Sequence, residues 1–455
     1  MKMLDQKVRK ILYHILLYRD GYMHVHKYSK EFLRFSQYEA ETIIKIQYER
    51  LLTILKHAYE TTSYYREKCG VMGLMPRRDI RECLSLIPIL HKTDIEIYRQ
   101  RMISSFIDEQ NIEFSHTGGS SGNPTVFARD RDCTAARIGR QWGILERCGY
   151  PIGSKCALIW GAHQDLSGED SVNKLKQIVR NYASAQDTLC CKILSEHDLH
   201  NFYWKLRVSQ PSVLYGYPSA MLEFAEYISS RKLKPLVFHS VISTAERLTD
   251  DQRVQLTAAY KSEVFNLYCT REHGCIGFEC GQHDGFHLDA GSVYVEIVNN
   301  EGRHARPGEV GDIIVTDLLN YGMPFIRYQI GDRGALSPDP CPCGCHLSLL
   351  ARLEGRITDV LYRMDGSKVT GVILVDMFID EPWISQFQIV QDRLDRIDVI
   401  LVVQDSFDEW RRQIVINRMR EYLTGDVDIH VSLVDEIPRN PISGKHQEVI
   451  CNLSF

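Results

Sequence analysis

Long apolar runs are missing from this sequence. No stretch approaches the ~18 consecutive apolar residues that a bilayer-spanning helix needs, and the first residues lack the apolar core and small-residue cleavage site of a secretory signal. The expected chain has no transmembrane segment and stays cytoplasmic. An excess of one charge is missing too: Lys+Arg 54 against Asp+Glu 59 leaves a net charge of -5, which offers no general attraction to polyanions. No nucleic-acid partner is therefore expected. There is no internal repeat, no low-complexity tract and no Walker loop ending in Gly-Lys-Ser/Thr. The 14 cysteines are too scattered for a disulfide framework, so thiols are expected except where they hold metal.

What remains is an ordinary globular composition, 44% hydrophobic and 25% charged over 455 residues. That length exceeds what one hydrophobic core usually organises, so two or more domains are expected. Leu4, Val8, Ile11, Leu12 and Ile15 recur at helical spacing, with Lys7, Arg9, Lys10 and Arg19 elsewhere on the wheel. Such a helix could dock on a membrane surface, but packing against its own protein is the preferred expectation. A second helix over 39–61 carries Ile44, Leu51, Leu52, Leu55 and Ala58 on one side. From Ile87 to Ile330 strands and helices are expected to alternate, which predicts α/β layers. Buried strands are predicted at 157–160, 213–215, 240–243 and 263–267, with a helix over 218–230 among them. After Arg356 the texture changes to two strands within 389–403, a helix over 407–423 and a strand over 427–434. The spacing predicts domains at 1–355 and 356–455, the second a small α+β module.

The densest chemistry lies in Ser115-His116-Thr117-Gly118-Gly119-Ser120-Ser121-Gly122-Asn123-Pro124-Thr125, with three glycines and five hydroxyls between two strand-like pieces. Glycine lets backbone N–H groups converge on an anion, and the hydroxyls of Thr117, Ser120 and Ser121 add donors for phosphate oxygens. A flexible Gly/Ser linker is the alternative. Tyr268-Cys269-Thr270-Arg271-Glu272 follows a predicted strand, so these side chains should emerge at the sheet edge where open α/β sheets bind ligands. Ser243-Thr244-Ala245-Glu246 sits at another strand end, where capping a helix near Thr249 explains it equally well. In Arg327-Tyr328-Gln329-Ile330-Gly331-Asp332, the short Asp332 carboxylate can accept two hydrogen bonds from a diol, or simply form an Asx turn. Gly355-Arg356-Ile357-Thr358-Asp359 coincides with the texture break, and Pro438-Arg439-Asn440-Pro441-Ile442-Ser443-Gly444-Lys445 ends on a lysine.

These segments, in this order from Glu39 onward, resemble the adenylate-forming ligases, and most closely the phenylacetate-CoA ligase-like branch that includes capsular polysaccharide ligases. The opening helix near His57–Arg66 is similar as well. The resemblance implies an α/β fold with a large multi-layer N-terminal adenylate-forming domain and a small mobile α+β C-terminal domain. It implies ATP-dependent activation of a carboxylic acid as an acyl-adenylate, then acyl transfer, foremost to CoA. An amine, hydroxyl or carrier-protein thiol could replace CoA, and a non-catalytic nucleotide-binding scaffold in polysaccharide assembly is the alternative of another class. Thr117 to Gly122 and Thr125 would hold the phosphates of ATP or AMP, Glu272 would hold Mg²⁺, and Tyr268 would lie against adenine. Glu246 would border the base, Asp332 would bind the ribose, and Arg356 would reach ribose or phosphate. Lys445 would neutralise charge in the transition state. Thr125 stands where many superfamily members have lysine, and Cys269 where glycine is usual. The acid pocket is expected near Trp142 and residues 215–218. Homodimerisation is left open.

Cys280, His283, His287, Cys341 and Cys343 supply soft ligands in two clusters, and four could close a tetrahedral structural Zn²⁺ site. His283 and His287 compete for the fourth place, and Cys345 is a weaker candidate. Free thiols beside surface histidines are the alternative.

Overall fold

The computed structural model describes the chain apart from residues 1, 70–83, 117–124, 161–180, 192–193, 247, 300, 355–359, 371–373, 375–376, 379–380, 382, 404–406, 424–425, 438–447 and 454–455. Helices α1 (Lys2–Arg19), α2 (Val25–Phe35), α3 (Ala40–Thr61) and α4 (Ser63–Cys69) open it. α3 matches the second expected helix, but its buried residues include Ile43, Leu51, Ile54, Leu55 and Ala58, while Ile44 is exposed. α1 departs further from expectation. Leu4, Val8, Ile11 and Ile15 all face outward, and the helix is seated through Arg9, Leu16 and Leu17. Polar contacts fix that orientation: Arg9 Nε donates to the Gly153 carbonyl at 2.8 Å and Gln6 to Ser154 Oγ at 3.0 Å. Gly153 permits the approach, since a Cβ there would lie 2.5 Å from the Gln6 carbonyl oxygen.

α5 (Lys92–Met102) precedes a hairpin of β1 (Ile112–His116) and β2 (Val126–Asp130), paired antiparallel with His116 opposite Val126. This ladder brackets residues 117–124. α6 (Arg131–Arg147) follows, its first turn capped by Asp130. Gly139 and Gly143, one turn apart on α6, let α2 come backbone-close; a Cβ on Gly139 would sit 2.3 Å from the Val25 carbonyl oxygen. Arg140 lies buried in the same seam, paired with Asp289 and with Glu31 at 2.9 Å.

Alternation then builds a parallel half-sheet from β3 (Cys156–Trp160), β4 (Gln186–Cys190), β5 (Val213–Gly216), β6 (Ser240–Ser243) and β7 (Val264–Thr270). α7 (Glu196–Ser209), α8 (Pro218–Ser230) and α9 (Asp250–Tyr260) connect these strands. All four residues of β5 and of β6 are buried, as parallel strands covered on both faces require.

The expected alternation stops at β7 rather than at Ile330. β8 (Gly274–Phe278), β9 (Phe286–Leu288), β10 (Val293–Val298), β11 (Gly311–Asp317), β12 (Tyr328–Leu336) and β13 (Leu349–Glu354) extend the sheet. Where β7 turns into β8, the backbone reverses through Gly274 at φ +75, so an antiparallel neighbour replaces a helical crossover. The sheet order is β10-β11-β12-β13-β9-β8-β7-β6-β5-β3-β4. It is a mixed α/β fold with one large sheet.

Beyond it, β14 (Val360–Tyr362) and β15 (Lys368–Thr370) form a ribbon. β16 (Ile384–Arg393), β17 (Arg396–Val403), β18 (Asp428–Leu433) and β19 (Val449–Cys451) form a second sheet of order β18-β17-β16-β19, and α10 (Glu409–Tyr422) crosses between β17 and β18. Their core, including Phe387, Ile397, Leu401, Val415 and Met419, takes its members from 361–451.

Gly139→Ala sets two effects against each other. Helix propensity favours alanine by ~1 kcal/mol, but the Cβ forces α2 off α6, an overpacking that costs about 1–3 kcal/mol. Urea unfolding is expected to show net destabilisation.

Candidate functional site

β7 and β12 stand four places apart in the sheet order. In a flat sheet that separation is ~19 Å. Yet Tyr268 Oη on β7 donates to Asp332 Oδ2 on β12 at 2.8 Å, and Tyr328 Oη, also on β12, donates to Glu272 Oε1 just past β7 at 3.3 Å. The sheet therefore curls, and three positions singled out from the sequence, Tyr268, Glu272 and Asp332, meet at one mouth. Tyr268 is buried, so its ring is a fixed wall.

The turn bearing Glu272 is held from below. Arg137 of α6 donates to the Arg271 carbonyl at 3.3 Å, contacts the Glu272 carbonyl, and pairs with Asp317 at 2.8 Å. His273 is buried with its ring 5.7 Å from each of Phe325 and Tyr328, and burial pushes its pKa down to about 4. Phe325 also packs on Phe127, at 5.8 Å, two residues beyond Thr125. Ring contacts thus connect the start of β2 with the Glu272 turn. Thr125 is buried and its hydroxyl donates to Glu96 Oε1 of α5 at 2.7 Å.

Glu246 lies at the end of β6. Its carboxylate accepts from the Ser219 backbone N–H and hydroxyl, at 3.3 and 2.7 Å, and so caps α8. α9 is capped by Thr249 and Gln252 instead, so the alternative in which the Ser243–Glu246 cluster caps the helix near Thr249 falls away. Ala245 holds φ 68, a conformation rare outside glycine, so the backbone turns sharply out of β6 here. Near the expected acid pocket, Trp160 packs on Tyr215 and Tyr217, while the Trp142 indole donates to Tyr13 of α1 at 3.2 Å. Thr117, Gly118, Gly119, Ser120, Ser121, Gly122, Arg356 and Lys445 lie outside the described residues.

On the flank of the curl, Cys280, His287, Cys341 and Cys343 put one ligand atom each within 4.8 Å of one another. Cys280 and Cys341 Sγ are 3.6 Å apart, and Cys343 Sγ and His287 Nε2 3.4 Å. A disulfide would need ~2 Å between sulfurs, whereas tetrahedral zinc with bonds of ~2.3 Å spaces its ligands ~3.7 Å apart. Burial lowers the His287 pKa, which favours the neutral ring that a metal requires. His283 is outside this group: its ring faces Glu279 and Glu263, each at 3.3 Å, because a positive φ of 57 turns it away. Cys345 is buried against the Ser36 carbonyl at 3.6 Å.

Residues 361–452 match the family described as the CapK C-terminal domain. Protein CapK of Staphylococcus aureus is 22% identical over 426 residues, covering 91% of this chain and 90% of CapK. The phenylacetate-coenzyme A ligase of Thermus thermophilus is 24% identical over 390 residues, 81% of this chain and 83% of the enzyme. The chain is a homologue of CapK and the phenylacetate-CoA ligases. A crystal structure of 2-hydroxyisobutyryl-CoA ligase, in complex with 2-HIB-AMP and CoA, covers 91% of each chain at 18% identity with a TM-score of 0.63. The fold is that of the adenylate-forming ligases.

Sequence reasoning had not marked Arg137, Glu96 or His273 for this homologue. Tyr328 lay inside the quoted Tyr-x-x-Gly-Asp segment and could have been found there; Arg137 sits mid-helix with nothing in its neighbours to single it out. His273 yields a pH test. Its pKa is lower folded than unfolded, so it costs no stability above pH ~6.5, and stability falls as pH drops toward 4, by up to about 3 kcal/mol. Urea unfolding between pH 7 and 4 is expected to show that slope, flattened in His273→Gln.

Proposed function

We propose that this homologue is an AMP-forming ligase that activates a carboxylic acid with ATP and passes the acyl group to the thiol of CoA. The observation that carries the proposal is the meeting of Tyr268, Asp332, Tyr328 and Glu272 across the curled sheet. An acid-bearing mouth walled by buried aromatics suits a nucleoside: Asp332 accepts from the ribose diol, Tyr268 offers its face to the base, and the 117–125 loop surrounds the phosphates. Glu272 would hold Mg²⁺, which would offset phosphate charge. The substrate carboxylate attacks the α-phosphate, pyrophosphate leaves, and Lys445 stabilises the charge that develops on the reacting oxygens. Residues 356–455 act as a lid turning about 355–359, with Arg356 reaching ribose or phosphate. The names of the phenylacetate-CoA ligase relatives favour CoA as acceptor.

Cys280, His287, Cys341 and Cys343 hold a structural zinc in the same reading. Its expected stoichiometry by elemental analysis is about one per chain, lost or strongly reduced in Cys343→Ser. Metal-free protein with unchanged stability would remove the site.

Pyrophosphate release with a panel of carboxylic acids is the direct measure of activity. Release is expected with at least one acid and should drop by about 100-fold or more in Lys445→Ala. Nucleotide binding without release under any acid would overturn the ligase in favour of a scaffold.

A further inference from the structure

α1 presents a face that the ligase reading does not use. Leu4, Val8, Ile11, Ile15 and Tyr18 lie within roughly a quarter of the helix circumference, and they are 69%, 40%, 59%, 57% and 66% exposed. Met23, 58% exposed, continues the strip beyond the helix end. Scattered exposed aliphatics are normal on a soluble surface, but a contiguous row marks an interaction site.

The rim of that row is cationic. Lys7 is exposed on one flank, followed by Lys10 and His14. α2 brings His26 against His14, ring centroids 5.2 Å apart, with exposed Lys30 beyond it. Lys10 and Lys30 both act on His26 electrostatically, so their charges converge on this side. A groove lined by Lys10, Ile11, His14, Tyr18, Met23 and His26 joins row to rim. The acids of α1 and its end are engaged elsewhere: Asp5 pairs with Arg9, and Asp20 pairs with Arg19 at 3.1 Å.

We propose that this face of α1 docks on an anionic lipid bilayer, with Leu4, Val8, Ile11, Ile15 and Tyr18 at the headgroup–acyl boundary and Lys7, Lys10 and Lys30 over lipid phosphates. An apolar strip beside a basic rim is the pattern of a helix lying in the interface plane. No helix among the described residues is long and apolar enough to cross a membrane, so the helix lies on the surface. A second copy is a poorer occupant, because an antiparallel two-fold pairing through this face would bring one lysine rim against the other.

The full chain is tested by co-flotation with vesicles of phosphatidylcholine alone or mixed with phosphatidylglycerol. Binding is expected only to the anionic vesicles, weakened about tenfold or more both by Ile11→Glu/Ile15→Glu and by Lys7→Glu/Lys10→Glu, and weakened by salt. Both variants should keep the parent's circular dichroism and gel-filtration volume, because Lys7, Ile11 and Ile15 are exposed and Lys10 is partly so. The proposal is overturned if the parent ignores anionic vesicles, if the doubly charged variant binds as the parent does, or if the parent is a dimer that Ile11→Glu/Ile15→Glu separates. Since acyl activation does not depend on this face, pyrophosphate release by the variants separates failure here from failure of the ligase reading.

Discussion

The curl of the sheet between β7 and β12 is the constraint from which the candidate site follows. β7 is parallel to β6 on one edge and antiparallel to β8 on the other. It ends the parallel half-sheet and begins the bend of the next. The concave side is filled by Tyr268, Ile276, Phe286, Leu288, Ile313, Val315, Tyr328 and Leu350 with residues of α3, so burial drives the bend. The backbone accommodates it through register shifts at Tyr268/Cys269, Asp312/Ile314 and Ala335/Leu336, because each bulge adds twist and bends its strand. Glycines stand where strands crowd: a Cβ on Gly334 would meet the Arg352 carbonyl oxygen at 2.5 Å.

That bend is also what the sequence showed least. Strands buried on both faces, such as Val213–Gly216 and Ser240–Ser243, announce themselves as short apolar runs between helices, and α8 was legible to the residue. The antiparallel strands after β7 alternate only partly, and their spacing alone suggested more helices. Tyr268, Glu272 and Asp332 could be named because the short segments that hold them resemble, in the same order, those of the adenylate-forming ligases. Their meeting could not be derived from those segments, since it depends on four intervening strand pairings. The α1 expectation failed for a different reason. Helical periodicity identifies an apolar face but does not say whether that face is covered, and the contacts of Arg9 and Gln6 with Gly153 and Ser154 turned the helix outward.

Two departures from the resembled pattern acquire a local meaning. Thr125, where lysine is frequent, is buried with its hydroxyl on Glu96, so the base of the loop is tied to α5 by a hydrogen bond. A lysine ammonium at that position would be desolvated beside a single carboxylate, an arrangement whose cost can exceed its Coulombic gain. Cys269, where glycine is usual, packs its side chain into the apolar cluster that includes Tyr215 and Cys275. The larger residue is absorbed in a different cluster from the one that holds Tyr268, the partner of Asp332.

The four clustered metal-ligand candidates fit the same mechanical picture. Cys280 follows β8, His287 lies on β9, and Cys341 and Cys343 lead into β13, so the ligands come from the three strands that stand between β7 and β12. β9 is only three residues long, and its pairing with β13 consists of Leu349 opposite His287 and Leu350 opposite Phe286. The pairing of β9 with β8 is equally short, so few backbone hydrogen bonds fix the angle of the bend here. A zinc joined to four ligands there would hold the middle of the curl and, through it, the separation of Asp332 from Glu272. Its contribution would then be to positioning as much as to stability, since a bend relaxed by about one ångström would pull apart the carboxylates of Asp332 and Glu272, which the proposed reading sets around one nucleotide.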